Sequence, residues 1–220
     1  MNKSVGSADA REAIFSSIRK NLEVSEAKDL LDGYSTATVR SAPSARVELS
    51  ESLPNEFKRN LESVGASCHI GSVESAAKYI QDLVDTGQIK TAAVSNSPLI
   101  ASVAGMINGL EFSADLTKDE LFEVSAGITE AQWGIAETGT VVLDSGVERN
   151  RLASAVPPVH ICLISADRIR RTMSEILALV ASHLSPTVTF ITGASRTSDI
   201  ELTLAIGVHG PGELHVLVIE

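Results

Sequence analysis

Apolar positions recur along the chain first at helical spacing and then in an alternation of helical and extended segments. From Asp9 to Leu22, Ile14, Phe15, Ile18 and Leu22 share one stripe while Arg11, Glu12, Arg19 and Lys20 lie off it, which predicts an amphipathic helix. Asp9 with Glu12 three residues on resembles a capping box. Gly33 to Arg46 is rich in Ser, Thr and Ala, contains a Pro and has no period, so it reads as a linker. Residues 1–46 are therefore an arm and linker, and residues 47–220 the body. Leu53, Phe57, Leu61 and Val64 predict a second helix that Gly65 ends. Cys68 to Ile70 reads as a strand, Ser75 to Asp85 as a helix stopped at Gly87, and Thr91 to Val94 as a strand. A helix opens at Ser97-Pro98 with Pro at its first position. Leu110 to Phe112 is a short strand, followed by an acidic turn or helix at Lys118 to Glu123.

Past a Gly-containing break, Gln132 to Ile135 and Val141 to Leu143 look like hairpin strands. Val159 to Ile164 is a strand leading into the strongest helical pattern, Asp167 to Leu184, striped by Ile169, Met173, Ile176, Leu177, Val180 and Leu184. Thr187 to Thr192 has the pattern of a buried strand, and Leu214 to Ile219 is the last. The expected fold is α/β: three layers, α/β/α, around a mixed, mostly parallel sheet.

Composition narrows the function. Eighteen Lys plus Arg against 28 Asp plus Glu give a net charge of −10, which disfavours a nucleic-acid partner. Apolar runs break well short of a membrane span, and the first residues turn polar before any leader-length apolar stretch, so a cytoplasmic protein is expected. The two cysteines, Cys68 and Cys162, stand too far apart for a Cys-x-x-Cys pair and too few for an iron–sulfur cluster or zinc ribbon. No cofactor or metal site is expected in this chain.

Four segments place polar residues and glycines immediately after apolar strands, at the carboxyl ends where open α/β sheets bind ligands. In Ile135 to Thr140, Glu137 beside the Thr138-Gly139-Thr140 turn is a candidate base, nucleophile or ligand anchor, though a plain hairpin calls for the same residues. Ser145 to Arg151 carries Arg149 and Arg151, able to clamp a carboxylate or phosphate, or simply to be solvated. Gly193 to Asp199, read as strand into short helix, offers Ser195, Arg196, Thr197 and Asp199 around an anion site, or ordinary helix caps. Gly207 to His215 offers His209 and Gly210, with His209 an acid–base candidate or a turn residue. His160 stands at a strand start. The chain lacks a G-x-S-x-G elbow, a phosphate-binding P-loop and the dinucleotide fingerprint.

Taken in order, Gly127 to Ala131 running into Ile135 to Thr140, then Arg151 to Ser154 with Pro157 to Ile161, then Gly193 to Glu201 and Gly207 to Pro211, resemble the blocks of the LutC/YkgG family, the LUD-domain proteins. Ala194 departs from a common Pro, and Trp133-Gly134 from small or acidic residues. The resemblance implies a fold like the NagB/RpiA/CoA-transferase group. It also implies an accessory role in bacterial lactate utilisation, beside iron–sulfur partner proteins that oxidise L-lactate to pyruvate. Glu137, Arg196 and His209 each follow an apolar segment at a Gly-containing turn. Such turns gather at one edge of an α/β sheet, so the three are expected to share one cleft holding a small anionic ligand. The alternative is a stand-alone acyl- or CoA-transferase-like or nucleotide-using enzyme.

Overall fold

A computed structural model describes residues 7–24, 51–147, 151–182, 185–198, 204–206 and 210–220. The chain divides into two compact units, Met1–Leu49 and Ser50–Glu220. In the first, α1 (Ser7–Val24) exposes Ile14 and Phe15 of its apolar stripe, and Arg11 lies over the Phe15 ring. The proposed linker lies outside the described residues.

In the second unit, α2 (Leu53–Ser63) buries Phe57 and Leu61, and Gly65 ends it at φ +83°, where a side chain would be strained. Then come β1 (Ser67–Gly71), α3 (Val73–Asp85), β2 (Thr91–Val94), α4 (Pro98–Ala104) and β3 (Glu111–Ser113). Ser72 and Ser97 cap α3 and α4 through their side chains. The acidic segment forms a 3₁₀ turn at Glu120–Phe122.

The expected Gly-containing break is a strand, β4 (Ala126–Glu130), buried over its first four residues. Gly127 weakens the strand pattern, but any side chain there would strike the Ala153 carbonyl, 1.7 Å from an added Cβ. The hairpin forms as β5 (Trp133–Ile135) and β6 (Thr140–Asp144). A 3₁₀ turn (Arg151–Ser154) leads to β7 (Val159–Ser165). The long helical pattern after it splits: a 3₁₀ turn (Ala166–Arg168), then β8 (Ile169–Arg170), then α5 (Met173–Ser182). Ile169 leaves the predicted stripe because pairing opposite Gly134 buries it in a sheet. Of that stripe only Ile176 is buried within α5, and Leu177 is 51% exposed. Strand β9 (Val188–Ile191) is a half-exposed edge, not a buried strand. The helix expected after Gly193 is replaced at Arg196–Ser198 by β10, which pairs antiparallel with β11 (Leu204–Ile206). Strand β12 (Glu213–Ile219) follows.

Six strands form a parallel sheet in the order β1-β12-β7-β4-β2-β3. The hairpin does not join it. With β8 and β9 it builds a second, mixed sheet in the order β8-β5-β6-β9. Alternation along each strand separates two cores. Ile161, Leu163 and Leu217 face α3 and α4, where Ile80, Ile100 and Val103 meet them. Cys162, Ile164 and Val216 face α2 and the second sheet, where Phe57, Leu61, Val141 and Leu143 meet them. Helix α5 covers the far side of the second sheet at Ile135, Val142 and Ile176.

Candidate functional site

His160 is the second residue of β7, on the face turned to the second sheet. It is 1% exposed, and its Nε2 lies 2.8 Å from the Thr129 hydroxyl on neighbouring β4. Burial, helped by His215, pushes its pKa down to about 3, so the imidazole is neutral at physiological pH. Nδ1 is buried and has no hydrogen-bond partner among the described residues. The ring borders a cavity of about 200 Å³.

Three loops close around that cavity. The 3₁₀ turn delivers Ser154 and Ala155, seated against β4 by the bare Gly127. The chain after β9 delivers Gly193 to Ser195, and the approach to β12 delivers Gly210 and Pro211. Ser195 N–H donates to the Pro211 carbonyl at 2.9 Å, tying the last two together. Gly210 leaves room for this closure, since an added Cβ would sit 3.2 Å from Ser195 Cβ. Ile191 and Leu214 supply apolar wall.

The structure thus brings His160, Ser195 and Gly210 together. It places other candidates elsewhere. Glu137 is exposed at the β5–β6 turn, where its Oε1 accepts from Met173 N–H at 2.8 Å and caps α5. Gly139 has φ +62° and lies so close to α2 that an added Cβ would be 2.2 Å from Leu61 N. Thr138 and Thr140 hydroxyls are 2.7 Å apart, and Thr140 reaches Thr192 at 2.6 Å, just before Gly193 of the cavity loop. Those two threonines therefore brace the loop instead of lining the cavity. Arg196 donates from Nη2 to the Val64 carbonyl at 2.6 Å, lying over Gly65 at the end of α2. Glu137 and Arg196 serve different helix ends, and no contact joins them among the described residues. Arg151 and Thr197 are described only in their backbone, within the 3₁₀ turn and β10. Arg149, Asp199 and His209 lie outside the described residues.

His215 stands one residue beyond Leu214 and so faces the opposite core. There its Nδ1 meets the Tyr79 hydroxyl at 2.9 Å and its Nε2 meets Glu213 at 3.4 Å. Burial lowers its pKa, opposed by Glu213.

The cavity opens at the amino ends of β7 and β12, not beyond the carboxyl ends of strands as the sequence pattern suggested. At the carboxyl edge, strand order reverses between β2 and β4. There Ser95 N–H donates to the Ile128 carbonyl at 3.1 Å, and Ser97 contacts Glu130. A wider crevice of about 710 Å³ lies beside them, lined by Asn96, Ser97, Phe112 and Asp115. Sequence reasoning missed Thr129, Ser97 and Glu130. The first sits in the unrecognised β4, and the others meet only across the strand-order reversal. Among the described residues no group of three or more His, Cys, Asp or Glu is arranged to hold a metal. No helix is long and apolar enough to cross a membrane among them.

A parallel sheet with α3 and α4 on one face, α2 and a second sheet on the other, and a cavity beside a buried histidine defines an α/β protein. The sequence matches the LUD domain over residues 54–219, and the chain belongs to that family. It is 32% identical over 182 residues to lactate utilization protein C of Deinococcus radiodurans, covering 81% of this chain and 82% of the relative. It is 40% identical over 137 residues to an uncharacterized protein of Neisseria meningitidis, covering 60% of this chain but only 56% of that relative's length. The crystal structure of a DUF162 family protein from Deinococcus radiodurans superposes with a TM-score of 0.59 at 24% identity, over 76% of this chain and 96% of that one. That likeness shows the fold.

Proposed function

We propose that this chain works in lactate utilisation as an accessory subunit beside iron–sulfur proteins that oxidise L-lactate to pyruvate. In this reading it holds a small anionic ligand of that system in the cavity at His160, Ser195 and Gly210. The observation that carries it is the match over four-fifths of the chain to a protein named for lactate utilization. The cysteines support the division of labour. Cys68 and Cys162 are buried and form no disulfide with each other, and burial pushes the Cys68 thiol up to about 12, far from the thiolate a cluster binds. The electron-carrying clusters then belong to partner proteins. Deleting the gene in a host without a second lactate oxidase is expected to abolish growth on L-lactate, restored by the wild-type copy. Undiminished growth would remove the proposal.

A second reading, a stand-alone transferase or nucleotide-using enzyme, draws on the crevice of about 710 Å³ at the strand-order reversal, where open α/β sheets bind substrates. Thermal shift separates the two. A rise in Tm with a CoA ester or ATP but not with pyruvate or lactate favours the enzyme.

A further inference from the structure

We propose that His160 Nδ1–H is the recognition donor of the cavity, and that the enclosed end of its ligand is an uncharged carbonyl group flanked by a small apolar group. This deepens the proposed function and rests on it only for the choice of pyruvate as a probe.

The position of one proton decides which ring nitrogen donates. Thr129 is fully buried, and among the described residues its hydroxyl has a single hydrogen-bond partner, His160 Nε2 at 2.8 Å. A buried hydroxyl hydrogen needs an acceptor, so Thr129 donates and Nε2 accepts. A neutral imidazole carries one N–H, which must then sit on Nδ1. The low basicity that burial gives the ring keeps it in this neutral form. Among the described residues Nδ1 is left without a partner, in a ring that borders the cavity. An unpaired buried donor is costly and calls for an acceptor from outside the protein.

The walls set the acceptor's character. Apart from His160, no described lining residue is ionisable, and Ala155, Ile191, Pro211 and Leu214 make much of the surface. A carboxylate drawn fully inside would lose its water without meeting a described counter-charge, whereas a carbonyl oxygen accepts the Nδ1–H and places no hydrogen of its own. A cavity of 150 Å³ admits benzene, so one of about 200 Å³ takes roughly six to eight non-hydrogen atoms. The acetyl end of pyruvate meets these terms if its carboxylate stays at the mouth.

The test uses the full-length protein labelled with ¹⁵N and a long-range ¹H–¹⁵N spectrum of the imidazoles, with His160 assigned by its loss in His160→Gln. The expected result is a protonated Nδ1 and an unprotonated Nε2 for His160. Methyl pyruvate and pyruvate should both shift the Nδ1 signal, and methyl lactate, the matching alcohol, should bind several-fold more weakly. In Thr129→Val, which removes the hydroxyl that fixes the tautomer, methyl pyruvate should also bind several-fold more weakly while circular dichroism is unchanged. A proton on Nε2, no shift with either carbonyl compound at tens of millimolar, or undiminished binding in Thr129→Val would each overturn the assignment. A shift with methyl pyruvate but not pyruvate would uphold the donor and count against the lactate reading instead.

Discussion

His160 couples the cavity to the stability of the whole body, because its ring is buried in a form that refuses a proton. In the unfolded chain a histidine titrates near 6.5; in the folded chain His160 titrates at about 3. Below 6.5 the unfolded state binds a proton that the folded state does not, so stability is complete above that pH and falls as pH falls. One such group costs about 2 kcal/mol between pH 7 and pH 5, and His215, shifted the same way, adds to the loss. Urea unfolding at the two pH values is expected to show that drop, and His160→Gln to reduce it. An equal drop in the variant would mean that other groups carry the acid sensitivity. The residue alone announces little of this. A His at a strand start is visible in the sequence, but its Thr129 partner sits 31 positions away in a strand whose glycine hides it.

At the scale of elements, the turn at Glu137 shows how a residue that reads as catalytic can be structural. Its carboxylate accepts from the first residue of α5, where negative charge also suits the helix end. Glu137→Ala should therefore lower stability by about 1 kcal/mol, with Glu137→Gln closer to wild type, and leave methyl pyruvate binding at the His160 cavity unchanged. Calorimetry with a binding titration checks both halves, and lost binding at full stability would return Glu137 to the site. The sequence pattern started this helix at Asp167, ahead of its actual first residue, Met173. Thr172 and Glu175 have the spacing of a capping box, with Glu175 N–H donating to Thr172 Oγ1 at 3.4 Å, while the Glu175 carboxylate accepts from the Thr172 hydroxyl and from Arg171 N–H, each at 3.3 Å. The apolar period running on from Ile169 obscures that box, and only pairing with β5 decides that Ile169 is a strand residue. Helix propensity yields there to burial in a sheet.

At the scale of the molecule, the family match begins at residue 54 and the second compact unit at Ser50. A chain starting at Val47 is therefore expected to keep the circular dichroism and cooperative unfolding of the full protein. The arm, with Ile14 and Phe15 exposed on α1, is expected to matter for association instead. Co-purification of partner proteins with the two lengths of chain tests that division, and an unfolded shorter chain would refute it.

Local pattern was enough for much of the architecture. Helical spacing with its caps and glycine stops located α2, α3 and α4 closely, and apolar runs located β2, β7 and β12, because those signals lie within a few residues of one another. The ordered blocks also pointed to the family that the LUD match shows. Tertiary structure alone decided which sheet received the hairpin, that Gly127 belongs to a strand, and that His160, Ser195 and Gly210 meet while Glu137 and Arg196 attend to separate helix ends. Those outcomes depend on strand order and on carbonyls and side chains brought close from distant positions. No period of 2 or 3.6 residues encodes such encounters, since they arise only when the layers pack.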